Sequence, residues 1–176
     1  TLSTVYGRKK NMKARWIAGN LFTITAYLLF IGILMLENGA IASLHGWNAS
    51  IQTSNYTCLY NINVGTGLLI VFAGGLLGSL VMGNLVMLIS MKTKNAKLTT
   101  VVSLIAVWLL VKLTATYSQI KLFNPMQFRS DSLLTEYVFM GNVAIPYFIV
   151  ALVLTVLYVT VFQLFMKRSY KKYRLN

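Results

Sequence analysis

The sequence predicts an all-α integral membrane protein of about four transmembrane helices, with the N- and C-termini cytoplasmic. Three observations carry that expectation. Hydrophobic residues make up 57% of the 176 and charged residues only 11%, which is more apolar surface than one soluble core hides. Four stretches of about 20 or more residues are almost free of charge, each long enough to cross a ~30 Å hydrocarbon layer as a helix. The Lys and Arg residues cluster at alternate ends of those stretches, as the positive-inside rule requires of cytoplasmic segments.

Residues 1–15 form a basic cytoplasmic segment, TLSTVYGRKKNMKAR, with Arg8, Lys9, Lys10, Lys13 and Arg15. The first span follows at about 16–36, where Arg15 and Trp16 pair a cation with an interfacial aromatic residue. The stretch 38–66 contains no Lys or Arg, which marks it as an outer loop. Its Trp47, Tyr56 and Tyr60 either sit at headgroup level or pack the loop onto the helices. Asn48-Ala49-Ser50 and Asn55-Tyr56-Thr57 have the glycosylation pattern, which has meaning only in a secretory-pathway host.

The second span, about 67–91, carries two sets of small residues: Gly74 and Gly78 in a GxxxG pair, and Gly75, Ser79 and Gly83 at four-residue intervals. Such stripes let another helix approach closely, so Gly74, Gly75, Gly78 and Gly83 are expected to be helix-packing positions. The alternative is a face that lines a conduit. Lys92, Lys94 and Lys97 return the chain to the cytoplasm before a third span at about 98–117.

Lys112 is the one charge within that third span. It either extends its stem to the headgroups or faces a polar cavity. Residues 118–137 have Lys121 and Arg129 balanced by Asp131 and Glu136, and Asn124-Pro125 signals a turn. A short interfacial or re-entrant helix, or a plain loop, is expected up to Ala144. The last span, about 146–166, has Pro146 near its first turn, where the missing N–H is harmless. A basic cytoplasmic tail, 167–176, closes the chain.

The net charge of +13 does not point to nucleic acid, because the cations flank apolar runs, a placement suited to anionic lipids and topology. Cys58 and His45 are each the only residue of their type, which argues against an internal disulfide and a cysteine or histidine metal site. No nucleophile–base pair or carboxylate pair is implied by spacing. No phosphate-binding G-x-x-x-x-G-K-[ST] loop is present, and the spans contain no Asp, Glu or His. The expectation is a protein without enzymatic activity or cofactor of its own, whose energy, if it transports, comes from another polypeptide. The first apolar run is too long for a signal peptide, and a start at Thr1 suggests part of a longer protein.

Leu2, Ser3, Thr4, Gly7, Arg8 and Lys9, followed closely by a long span, resemble the cytoplasmic segment of bacterial type-2 ABC-transporter permeases. Lys13-Ala14-Arg15 stands near the place where that family often has an Ala-Lys pair. The later order is also similar: the Gly46-Trp47-Asn48 loop, a glycine-rich span, a short basic turn, an outer loop with Pro, and a last span with Pro at its start and a basic tail. Such permeases usually have six spans, so the resemblance implies a C-terminal four-span portion.

The resemblance further implies a bacterial cell-membrane location, a second permease unit and a cytoplasmic ATP-binding-cassette ATPase that holds ATP and Mg. Ser3, Thr4, Gly7, Arg8 and Lys9 would then form the ATPase-coupling contact of an export system. The competing reading of these cations is an anchor that orients the helix and binds anionic membrane lipids. Competing functions are a non-transporting scaffold or sensor subunit, and an ion-coupled carrier that would require Lys112.

Overall fold

In a computed structural model, residues 5–42, 46–53, 56–58, 60–93, 95–117, 123–129 and 132–172 are described, without the side chains of 5–10, 40–42, 114, 115, 129, 140 and 170–172. Four long helices dominate: α1 (Val5–Ala42), α2 (Val64–Thr93), α3 (Ala96–Thr116) and, after a short α4 (Ser132–Thr135), α5 (Tyr147–Lys172). All four are long and apolar enough to cross a membrane, so the chain is an all-α, multi-pass membrane protein. Successive spans place the basic ends of α1, α2, α3 and α5 on one side, here called the basic side.

α1 is a single helix of 38 residues, about 57 Å long at ~1.5 Å per residue. It is therefore longer than a ~30 Å hydrocarbon layer by about 27 Å. The sequence divides residues 1–15 from a span at 16–36, but the helix runs unbroken from Val5 through both. No proline stands in this stretch, and neither the backbone nor the side chains impose a break.

α2 is the centre of the molecule and touches α1, α3, α4, α5 and the 3-10 segment Pro125–Arg129. Its buried positions are mostly glycine, with Val81 and Asn84, because backbones can come close only where side chains are small. Toward α1, a Cβ on Gly75 would strike the Tyr27 hydroxyl, and one on Gly83 would lie 2.7 Å from Thr23 Oγ1. The Tyr27 hydroxyl donates to the Phe72 carbonyl at 2.8 Å.

Gly74 and Gly78 stand against the main chain of the segment between α3 and α5, with Leu133 of α4 also at Gly74. A Cβ on Gly78 would lie 2.5 Å from the Pro125 carbonyl oxygen, and one on Gly74 would strike the Phe128 carbonyl. Gly78 is about 21 Å along α2 from Val64, so this segment dips deep into the bundle. Leu133 then packs at Gly74 and Leu134 at Gly67, so the chain climbs back toward the far side. It is a re-entrant segment, wedged between α2 and α5.

Main-chain polar groups at that depth need partners inside the protein. Asn124, 2% exposed, accepts from Met126 N–H at 3.0 Å, and Gln127 N–H donates to the Asn124 carbonyl at 3.0 Å. Pro125 fits the first helical position after this cap. The Tyr158 hydroxyl of α5 donates to the Phe123 carbonyl at 2.7 Å, about 16 Å along α5 from Tyr147. Phe128, Leu133, Tyr147 and Ala151 form the buried apolar cluster around the wedge.

Between α4 and α5 lies an antiparallel hairpin, β1 (Tyr137–Met140) and β2 (Val143–Pro146), with Met140 opposite Val143. This replaces the helix or loop expected up to Ala144. Gly141 has φ 63°, the left-handed conformation a two-residue hairpin turn needs. Pro146 closes β2, and the last span begins at Tyr147 rather than at Pro146.

The loop before α2 is anchored as well. Ile51 N–H donates to Ile62 O at 3.0 Å and Val64 N–H to Ala49 O at 2.9 Å, while Trp47 packs on Gly65 and Ile51 on Gly67. The Tyr60 ring contacts Tyr137 at 5.7 Å and Phe148 at 6.2 Å. Trp47 and Tyr60 thus pack the loop down, whereas Tyr56 is 90% exposed. His45, Asn55, Lys94, Lys121 and Asp131 lie outside the described residues.

Candidate functional site: a cationic cleft between the basic helix ends

The basic ends of α1, α2, α3 and α5 surround a cleft of about 670 Å³. Two contacts set its walls. At the α1–α2 wall, the Trp16 indole N–H donates to Asn84 Oδ1 at 2.8 Å, and Asn84 Nδ2 donates to Asn20 Oδ1 and Leu80 O, each at 2.8 Å. Asn84 is fully buried; an unpaired amide there would be costly, and each interhelical bond in a membrane contributes about 0.6 kcal/mol, at most about 1.7. At the α2–α3 turn, the Thr93 and Thr99 hydroxyls lie 2.6 Å apart. Asn95 caps α3, its side chain accepting from Lys97 N–H at 3.0 Å.

The cleft has three chemical parts. Lys13, Arg15 and Lys167 supply positive charge. Ser90, Thr99, Thr100 and Gln163 supply hydrogen-bonding groups. The remaining wall is soft and apolar, with four methionines, Met12, Met87, Met91 and Met166, beside Ile17 and Val86. Among the described residues no carboxylate, His or Cys lines it, so the arrangement suits binding of an anion with an apolar portion. Among the described residues, no group of His, Cys, Asp and Glu is placed to hold a metal ion.

The residues singled out from sequence occupy different places. Ser3 and Thr4 lie outside the described residues. Gly7, Arg8 and Lys9 belong to the first turns of α1 by backbone, their side chains undescribed. Gly74, Gly75, Gly78 and Gly83 stand at the close approaches given above. Lys112 is exposed on α3, its ammonium 5.8 Å from the centre of the Trp108 ring, and it takes no part in the cleft.

The Trp16–Asn84–Asn20 bonding was missed from sequence. Its signal was two asparagines inside otherwise apolar spans, where an amide needs a partner. The cleft itself had no linear signal, since its lining is gathered from four helices. No family model, curated protein or solved structure matches this chain.

Proposed function

We propose that this chain is the membrane-spanning permease subunit of an ATP-binding-cassette exporter in a bacterial cell membrane, paired with a second permease unit. A separate cytoplasmic ATPase binds and hydrolyses ATP with Mg. The resemblance of Leu2 to Lys9 motivates the assignment, and the observation that carries it furthest is the continuity of α1. A helix unbroken from Val5 to Ala42 transmits a push on its basic end to the membrane interior without a hinge.

The distribution of packing supports the export direction of this reading. The cleft lies at the basic helix ends, which the charge pattern places in the cytoplasm. The far end is covered by the anchored loop, the hairpin and the re-entrant wedge. Loading from the cytoplasm and release past the wedge fits that asymmetry.

The test is co-purification of tagged chain with a cassette ATPase encoded beside it. Arg8→Glu with Lys9→Glu is expected to weaken capture at least tenfold while the protein still inserts. Undiminished capture after reversal removes the coupling assignment, and absence of any ATPase partner favours a scaffold or sensor subunit. The ion-coupled reading is tested separately: transport unchanged by Lys112→Met removes it.

A further inference from the structure

We propose that the cleft is a binding site for an acidic phospholipid, its phosphate held by Lys13, Arg15 and Lys167 and one acyl chain laid along the methionine wall. This goes beyond the permease assignment and does not depend on it.

Charge is the first ground. Three cations from α1 and α5 border the cleft and no carboxylate does. The whole chain has only three acidic residues: Glu37 near the far end of α1, Glu136 beside the hairpin, and Asp131 outside the described residues. Among the described residues the cations therefore have no counter-charge within the cleft, and an anion supplied from outside completes it. The N-terminus of α3, at Ala96, also lines the cleft, and its dipole favours negative charge.

The wall chemistry selects among anions. A free phosphate or a small hydrophilic anion would leave Met12, Met87, Met91, Ile17 and Val86 facing it without a partner. A phospholipid satisfies both halves, because its phosphate meets the cations while a chain covers the thioethers, which adapt to an irregular apolar ligand. Position agrees as well. Trp16, an aromatic at the interfacial level of its span, lines the cleft, so the phosphate would enter at the depth where lipid headgroups already lie.

Purified full-length protein is delipidated in a neutral detergent and titrated with phosphatidylglycerol or phosphatidylcholine, with bound lipid counted by native mass spectrometry. Phosphatidylglycerol is expected to bind at least tenfold more tightly. Each of Lys13→Gln, Arg15→Gln and Lys167→Gln lowers that affinity about fivefold, while Arg15→Lys retains most of it. Ser90→Trp, which fills the cleft without changing charge, also abolishes the preference.

Lys112→Gln removes a cation outside the cleft and is expected to change nothing. An equal loss with Lys112→Gln overturns the site in favour of general surface charge, and so does an unaltered preference in Ser90→Trp. Soluble glycerophosphoglycerol that competes as well as the lipid overturns the acyl-chain assignment and makes the cleft a site for soluble anions. Equal binding of both phospholipids overturns the proposal outright.

Discussion

The indole N–H of Trp16 donates to the side-chain oxygen of Asn84 at 2.8 Å, across the packed faces of α1 and α2. The same Asn84 is fully buried and passes its own amide protons to Asn20 and Leu80. One amide thus joins the helix that carries the basic segment to the helix at the centre of the molecule.

Replacing Asn84 with Leu and Trp16 with Phe, singly and together, measures that joint. A coupling energy of about 0.5–1.5 kcal/mol is expected from a double-mutant cycle of unfolding in detergent micelles. Strict additivity would mean that the bond contributes nothing to α1–α2 pairing.

Gly78 and Gly32 make a matched pair of glycines. A Cβ at Gly78 meets the Pro125 carbonyl at 2.5 Å, main chain that cannot swing aside, whereas at Gly32 nothing lies within 4 Å. Gly78→Ala is expected to destabilise the protein by about 1–3 kcal/mol. Gly32→Ala should be neutral or slightly stabilising in the same unfolding assay, as alanine replaces glycine inside a helix.

Tyr158→Phe removes the donor to the Phe123 carbonyl and leaves that carbonyl, level with the middle of α5, without its phenol. The expected cost is about 1 kcal/mol, and hydrogen exchange should quicken at residues 124–129. Exchange that stays at the parent rate would show the wedge to be held by the glycine contacts alone.

Cys58, 4% exposed, is a reporter of the loop packed on the far end of α2. Maleimide labelling of the native protein should be at least tenfold slower than after denaturation. Ile51→Ala, which removes the side chain seated on Gly67, should accelerate it.

Tyr60 supplies a pH test outside the spans. Burial, and secondarily the neighbouring Tyr137, pushes its phenol up from 10.0 to about 12. The folded state therefore holds this proton more tightly than the unfolded chain. The associated stability is present below pH 10 and is lost as pH rises through about 12. Ultraviolet titration of phenolate should show a component near pH 12 that Tyr60→Phe removes.

The spans were legible because length and charge alone decide them: an apolar run of about 20 residues has few alternatives to a membrane helix, and Lys92 and Lys167 mark where two such runs end. The glycine stripes were legible as packing sites, but their partners were not. Gly75 and Gly83 receive a helix, whereas Gly74 and Gly78 receive irregular main chain, and nothing local distinguishes the two. The hairpin hid because Val138 to Ile145 is short and apolar; its sign was the Gly141-Asn142 turn between two β-prone runs. The cleft was invisible because Lys13, Ser90, Thr99 and Gln163 meet only after the helices assemble.

In the proposed permease, α1 would link the basic segment to the bundle as one rod, so that an ATPase docked there would move the spans. Spin labels at Ile33 and Leu69, in the chain reconstituted with the proposed cassette ATPase, measure that motion by pulsed electron resonance with and without ATP. The distance distribution is expected to shift on ATP binding. A Gly-Gly-Gly insertion after Lys10 should abolish the shift while the ATPase stays bound. A shift that survives the insertion, or a distance that never responds to ATP, would contradict the lever.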